Sequence, residues 1–274
     1  MERRPEGKSS LENRLRKEAE RRRATITPDR IRGALPSEDL QDAFSAIRAD
    51  TMSLFNVAVL RKQQTVLELR ERGIASEKLL KSAPTLNIGG GIDVEYPLCI
   101  GARKIHLVDP ILKMEPSVFN LLRQKISRIS KGQFAESSGT FTFLFDFGHG
   151  KEEVTVVADP RAYVKVGTEI GDVERFTPLE APGALIAFQG PDPSSDRDVL
   201  EKLASGGIVL SNRMPGSFFS EFLDSKTDLR ETYSELPPGE RRRLLSEFYS
   251  SKGFESFILD CFGDEEGQTL LRKR

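Results

Sequence analysis

One run of residues, 85–110, constrains the fold of this chain more than any other part of the sequence. It opens with a short apolar segment, residues 85–88, and turns at once through the three glycines of residues 89–91. A second apolar segment, residues 104–108, follows and ends on Asp109. The order of strand, glycine turn, short helix, strand and acid predicts the first half of a nucleotide-binding βαβ unit.

The residue types in this run suit the binding of a nucleoside. Glycines let the backbone turn tightly and bring its N–H groups close to a ligand, and a carboxylate at the tip of the next strand can accept both ribose hydroxyls. A dinucleotide fingerprint needs a further glycine where this chain has Val94. An NAD(P)-linked oxidoreductase is therefore disfavoured.

The run resembles motif I of the class I S-adenosylmethionine-dependent methyltransferases. Gly89 and Gly91 match the first two glycines of that motif, and Asp109 matches its ribose-binding acid. Asn87 stands where the family usually has an acid, and Asp93 stands where it usually has the last glycine. Asn87 can keep a hydrogen-bonding side chain, whereas Asp93 is expected to place a side chain near the methionine part of the cofactor.

The resemblance implies that S-adenosylmethionine is the cofactor and assigns its binding residues. The methionine end would lie on Asn87 and on Gly89, Gly90 and Gly91, and the ribose on Asp109. The third strand ends on Asp159, which resembles the family's adenine-binding acid and is followed by Pro160; a helix N-cap or a turn residue explains Asp159 equally well. The last assigned residue is Gln189, which begins the loop beyond the fourth strand.

Composition favours a cytoplasmic globular protein. The chain has 274 residues, 38% of them hydrophobic and 30% charged, with a net charge of −1, so nothing draws the whole chain towards nucleic acid or a membrane. No secretory segment and no membrane span is predicted. Cys99 and Cys261 are far apart, and His106 and His149 lack partners at ligand spacing, so neither a disulfide nor a metal site is indicated.

Patterns of charge and hydrophobicity divide the chain into four parts. Residues 1–24 are highly charged and are predicted to be a disordered tail or a frayed helix. Residues 25–83 show apolar residues at helical spacing after helix-start signals at Thr27, Ser37 and Ser76. Residues 84–263 are predicted to form a methyltransferase-like α/β domain, and residues 264–274 a polar tail.

Within the α/β domain, residues 116–131 are predicted to be helical and residues 140–147 and 153–159 to form a β-hairpin. Apolar strands are predicted at residues 184–188 and 208–212, and one further strand at residues 254–261. The predicted fold is therefore an α/β, three-layer, Rossmann-like methyltransferase sheet with an N-terminal helical extension. The family core usually finishes with a reversed hairpin of two strands, of which one is visible here.

The leading functional hypothesis is an S-adenosylmethionine-dependent methyltransferase whose acceptor is unknown. Residues 189–192 read Gln-Gly-Pro-Asp, whereas family members that methylate amino groups carry Asp/Asn-Pro-Pro-Tyr/Phe there, so a small-molecule acceptor is favoured over nucleic acid. No catalytic residue is assigned, because no side chain is marked as a general base.

A second hypothesis is a catalytically inactive methyltransferase-like protein that binds a protein partner through its N-terminal helices. Arg21, Arg22 and Arg23 could contact RNA or an acidic partner, but the interspersed glutamates favour a solvated face.

Overall fold

The computed structural model of the protein describes residues 7–47, 56–114, 116–161, 178–187, 197–211, 235–259 and 269–274. The helices in these ranges are α1 (Gly7–Thr25), α2 (Pro28–Ala34), α3 (Glu38–Ala46), α4 (Val57–Glu71), α5 (Glu77–Ser82), α6 (Glu95–Ile100), α7 (Ile111–Met114), α8 (Pro116–Ile129), α9 (Arg197–Lys202) and α10 (Pro238–Ser251). The strands are β1 (Thr85–Ile88), β2 (Lys104–Val108), β3 (Phe134–Ser137), β4 (Thr140–Asp146), β5 (Lys151–Asp159), β6 (Ala184–Ala187), β7 (Ile208–Ser211), β8 (Phe254–Ile258) and β9 (Thr269–Lys273).

All nine strands belong to one mixed sheet, in the order β3-β4-β5-β2-β1-β6-β7-β9-β8. The pairs β5-β2, β2-β1, β1-β6 and β6-β7 are parallel, whereas the pairs at both ends of the sheet are antiparallel. The predicted α/β class is confirmed at this level, and the sheet is compatible with a Rossmann-like fold. Because the chain goes from β1 to β2 on one side and later to β6 on the other, the carboxyl end of β1 lies at a switch in strand order, where open α/β sheets bind ligands.

The central strands are buried on both faces and contribute alternate residues to two hydrophobic clusters. On β6, Ile186 belongs to one cluster and its neighbour Leu185 to the other, as the two-residue period of a strand requires. The larger cluster includes fully or almost fully buried residues of α3, α4, α6 and α8, among them Leu40, Phe44, Leu67, Leu98 and Leu122. The second cluster includes residues of α9 and α10, among them Leu200, Phe248 and Tyr249.

The helix starts predicted from the sequence are confirmed as side-chain caps. Thr27, Ser37 and Ser76 each accept a hydrogen bond from the backbone N–H three residues ahead, at the start of α2, α3 and α5. The Ser37 hydroxyl also donates to the Asp146 carbonyl oxygen at 2.6 Å, which fixes the start of α3 to the end of β4.

The charged N-terminal segment forms helix α1 and packs against α4; the sequence had left a frayed helix and a disordered tail open. Ala19 and Arg22 of α1 are buried, and Ala19 shares a small apolar cluster with Val57 and Leu60 of α4. The Arg22 guanidinium donates to Gln64 at 2.5 Å and to Glu18 at 2.6 Å. Helix α1 packs in spite of its low apolar content because it is held partly by buried polar contacts with a distant part of the chain.

Two strands were not predicted. β3 extends the hairpin of β4 and β5 at one edge of the sheet, and three of its four residues are exposed, so its sequence lacks an alternating apolar signal. β9 lies between β7 and β8, inside the segment that composition marks as a polar tail. It supplies the second strand of the C-terminal hairpin, and Leu270 and Leu271 are buried in it.

A charged cluster stabilises the amino-terminal end of β2. Arg103 is almost fully buried, stacks on the Phe147 ring with its guanidinium carbon 3.6 Å from the ring centroid, and contacts Glu152 at 3.3 Å. Lys81 of α5 contacts the same carboxylate at 2.8 Å. Hydrogen bonds from Lys81, and then from Arg103, outweigh burial and lower the pKa of Glu152 from 4.5 to about 2.

This cluster predicts a measurable acid sensitivity. Because the folded-state pKa of Glu152 lies below its unfolded value, its contribution to stability is complete above the unfolded pKa and is lost as the pH falls towards about 2. We expect Glu152→Gln to flatten the fall in unfolding free energy between about pH 5 and pH 2, measured as the urea midpoint at a series of pH values. Identical slopes for the variant and the wild type would contradict the assignment.

Among the residues that the structure describes, no helix is both long enough and apolar enough to cross a membrane.

Candidate functional site

The glycine turn after β1 forms the floor of the candidate site. Gly89 and Gly91 have φ values of +62° and +56°, in the left-handed region that residues with a Cβ rarely adopt. The Gly89 N–H donates to the Val108 carbonyl oxygen at 3.0 Å, so the turn begins as a continuation of the pairing between β1 and β2. Among the residues that the structure describes, none has an atom within 4 Å of a Cβ built on Gly91, so this part of the chain leaves space beside the glycine.

Gly90 is required for a different reason, which is steric. A Cβ at this position would lie 2.3 Å from Oδ1 of Asn87, below any real contact distance. Asn87 cannot easily move aside, because it is buried and its amide donates to the Asp93 carbonyl oxygen at 2.7 Å. Asn87 therefore lies directly against the glycine turn, and its amide supports the turn from within the protein.

Asp109 lies immediately beyond β2 and contacts the glycine turn. Its Oδ2 accepts the Gly91 N–H at 2.9 Å, and its Oδ1 accepts the Ile111 N–H at 3.0 Å. The residue is half-buried. A carboxylate has about four acceptor positions, so these two bonds leave capacity for ligand hydroxyls.

Asp159 ends the neighbouring strand β5, and the Asp109 N–H donates to its carbonyl oxygen at 3.0 Å. The structure thus brings both predicted acids to adjacent strand ends, with Asp109 in contact with the glycine turn. The Asp159 carboxylate is held by Arg161, whose Nη2 donates at 2.6 Å and whose backbone N–H donates at 3.0 Å. Burial alone would raise the pKa of Asp159, but these hydrogen bonds outweigh it and the pKa lies below its ordinary value.

Pro160 follows Asp159 and is half-buried. Gln189, together with the loop of residues 189–195 that it begins, lies outside the described residues.

The side chain of Asp93 has partners inside the protein. Its side chain is almost fully buried, and Oδ2 accepts from the ammonium of Lys62 at 2.6 Å. Oδ1 accepts the Tyr96 N–H at 3.3 Å, at the start of α6. Sequence reasoning missed Lys62, since a lysine in the first half of α4 carries no local signal that it will meet a residue 31 positions later.

The two histidines lie in different surroundings. His106 is half-buried on β2 and lines a cavity of about 250 Å³ together with Asp159 and Arg161. Burial lowers the pKa of its imidazole. His149 is half-exposed in the hairpin turn, where it contacts Glu152 at 2.8 Å. Within the described ranges, no group of three His, Cys, Asp or Glu side chains is placed to hold a metal ion.

The site therefore combines an open glycine turn with two carboxylates at adjoining strand ends, an arrangement suited to a ligand that presents hydroxyl and amino groups. Comparison of the chain with protein-family models, with curated proteins and with solved structures finds no match.

Proposed function

We propose that this chain is an S-adenosylmethionine-dependent methyltransferase, built on a three-layer Rossmann-like sheet with an N-terminal helical extension. The observation that carries the proposal is the strand order β5-β2-β1-β6-β7-β9-β8, in which β9 alone is reversed. The sequence resembles class I methyltransferases in its glycine run, and that family usually ends its core with a reversed hairpin of two strands. β8 and β9 are such a hairpin.

The contacts at the strand ends support the assignment of the cofactor. The space beside Gly91 would receive the methionine end, with Gly89 and Gly90 beneath it and Asn87 supporting the turn. Asp109 would accept the ribose hydroxyls, since its carboxylate is half-buried and keeps unused acceptor positions. Asp159, with Pro160 beside it, would accept the adenine amino group; Gln189, the remaining residue assigned to the cofactor, lies outside the described residues.

S-adenosylmethionine supplies an electrophilic methyl group on a sulfonium. The chain's own contribution is to bind this cofactor in one orientation and to align an acceptor with the methyl group, which can provide most of the rate enhancement without a general base. We favour a small-molecule acceptor, because residues 189–192 lack the motif of family members that methylate amino groups and the net charge is −1.

One observation favours the alternative of an inactive methyltransferase-like interaction protein. Both carboxylate oxygens of Asp159 already accept hydrogen bonds from Arg161, at 2.9 Å and 2.6 Å from Nε and Nη2. A ligand amino group would have to share or displace this guanidinium. Under this alternative the chain would have the fold without the activity, and a protein partner would bind to its N-terminal helices.

Calorimetric titration separates these functions. We expect the purified protein to bind S-adenosylmethionine and S-adenosylhomocysteine with dissociation constants on the order of micromolar, and not to bind NAD⁺. Heat from the first two ligands alone would support the methyltransferase. Absence of heat from all three, with a folded protein by circular dichroism, would contradict it and favour the interaction protein.

A further inference from the structure

The ion pair between Lys62 and Asp93 links the N-terminal helices to the glycine turn. The two side chains are 6% and 3% exposed, and 2.6 Å separates the ammonium nitrogen from the carboxylate oxygen. Lys62 lies in the first half of α4, whereas Asp93 lies two residues after Gly91. The pair therefore joins a helix outside the βαβ unit to the part of the unit that would bind the cofactor.

Asp93 is fixed at every polar atom. Its N–H donates to the Gly90 carbonyl oxygen at 3.1 Å, and its own carbonyl oxygen accepts from Asn87 at 2.7 Å. Its two carboxylate oxygens accept from Lys62 and from the Tyr96 N–H. A shift of the Asp93 side chain would therefore disturb the hydrogen bond from the Asp93 N–H to the Gly90 carbonyl oxygen. It would also disturb the position of Asn87, whose close approach to Gly90 requires a glycine at residue 90.

The charge of Lys62 keeps this carboxylate inside the protein. A buried carboxylate that loses its cation tends to turn towards water or another donor, because an uncompensated buried charge is strongly unfavourable. Either response would alter a turn in which Gly89 and Gly91 already adopt left-handed conformations.

We infer that Lys62 is a positioning residue of the cofactor site. It holds the Asp93 carboxylate inside the protein and away from the space beside Gly91, so that an aspartate is tolerated where the family usually has glycine. The N-terminal helices are then a part of the cofactor site rather than an appendage. The effect on ligand binding rests on the proposed function, whereas the effect on the turn does not.

The test uses the full chain and three variants. Lys62→Met removes the charge, and Lys62→Met/Asp93→Asn removes both charges while an amide keeps the shape of the Asp93 side chain. Arg61→Met is the matched control: Arg61 is the preceding residue of α4 and also forms an ion pair, with Glu18 of α1 at 2.7 Å.

The first readout is hydrogen–deuterium exchange of the ligand-free protein. We expect Lys62→Met to speed exchange in peptides covering residues 89–96 by about tenfold or more, with no comparable change in β4 and β5. Arg61→Met should leave residues 89–96 unchanged, and the double variant should return them to within about threefold of the wild type. If Lys62 only stabilised α4, Lys62→Met would instead raise the exchange rate in all the elements that α4 contacts.

The second readout is the affinity for S-adenosylhomocysteine. Lys62→Met should weaken binding by about tenfold or more, and the double variant should recover it to within about threefold of the wild type. A double variant as impaired as Lys62→Met in both readouts would overturn the inference. So would a Lys62→Met protein that matches the wild type in both.

The two proposals fail separately. If the wild type does not bind S-adenosylhomocysteine, the proposed function fails, and the exchange of residues 89–96 still decides the role of Lys62. If Lys62→Met does not fold, Lys62→Arg replaces it, because a guanidinium keeps the charge but not the position of the ammonium. Lys62→Arg should then also speed exchange at residues 89–96.

Discussion

Replacing Asp109 with alanine is expected to abolish measurable binding of S-adenosylhomocysteine. The proposed contact consists of two hydrogen bonds from ribose hydroxyls to a carboxylate, each worth about 1.5–3 kcal/mol, so affinity should fall by about 100-fold or more. The substitution also removes the acceptors of the Gly91 and Ile111 N–H groups, which bond to this carboxylate at 2.9 Å and 3.0 Å. Loss of these bonds should loosen the turn and add to the effect.

Two further variants make this result specific. Asp109→Asn keeps an acceptor oxygen but not the charge and should bind with an intermediate affinity. Glu153→Ala removes an exposed carboxylate from β5 and should bind as the wild type does. Calorimetry with the three variants checks the assignment, and an Asp109→Ala protein of unchanged affinity would exclude Asp109 from the site.

Gly90→Ala is expected to be the most destabilising single change in the turn. The new methyl group would lie 2.3 Å from Oδ1 and 2.8 Å from Cγ of Asn87, so the asparagine or the turn must move. Asn87 is buried and bonded to Asp93, and overpacking of a tight site costs about 3 kcal/mol at its upper range. We expect a fall of that size in the unfolding free energy, measured by urea denaturation, and a loss of S-adenosylhomocysteine binding.

Gly33→Ala is the control for this substitution. Gly33 lies in α2, and a Cβ there meets nothing within 4 Å, so alanine should be neutral or should stabilise the protein by about 0.5–1 kcal/mol through its higher helix propensity. Equal urea midpoints for Gly90→Ala and the wild type would show that the turn and Asn87 can separate at little cost.

The parts of the fold that the sequence predicted are those that depend on neighbouring residues. The glycine turn, the hairpin of β4 and β5 and the caps at Thr27, Ser37 and Ser76 are all encoded within a few positions, and each is present in the structure. The placement of Asp109 beside the turn also followed from the sequence, because the carboxyl ends of adjacent parallel strands lie at one edge of a sheet.

The parts that were missed depend on distant pairings. β9 contains two buried leucines among polar residues and becomes a strand because it lies between β7 and β8. Arg22 is buried because Gln64, 42 positions away, accepts its hydrogen bond. The ion pair between Lys62 and Asp93 was not predicted, because the sequence gives no local sign that Lys62 reaches Asp93 from α4. Contacts of this kind follow from packing and are not encoded in a local pattern.

The bond between Ser37 and the end of β4, together with the apolar cluster that α3 and α4 share with the sheet, has a consequence for how the protein can be divided. A recombinant fragment that begins at residue 84 would lack Leu40, Phe44 and Leu67 and would expose remaining residues of the cluster that they share with the sheet. Such a fragment should expose apolar surface and aggregate, although it begins just before the strand and glycine turn from which the sequence predicts the start of the α/β domain. Helices α3 and α4 and the sheet should therefore unfold in a single cooperative transition. The smallest part of the chain that folds independently then includes both the helices and the sheet.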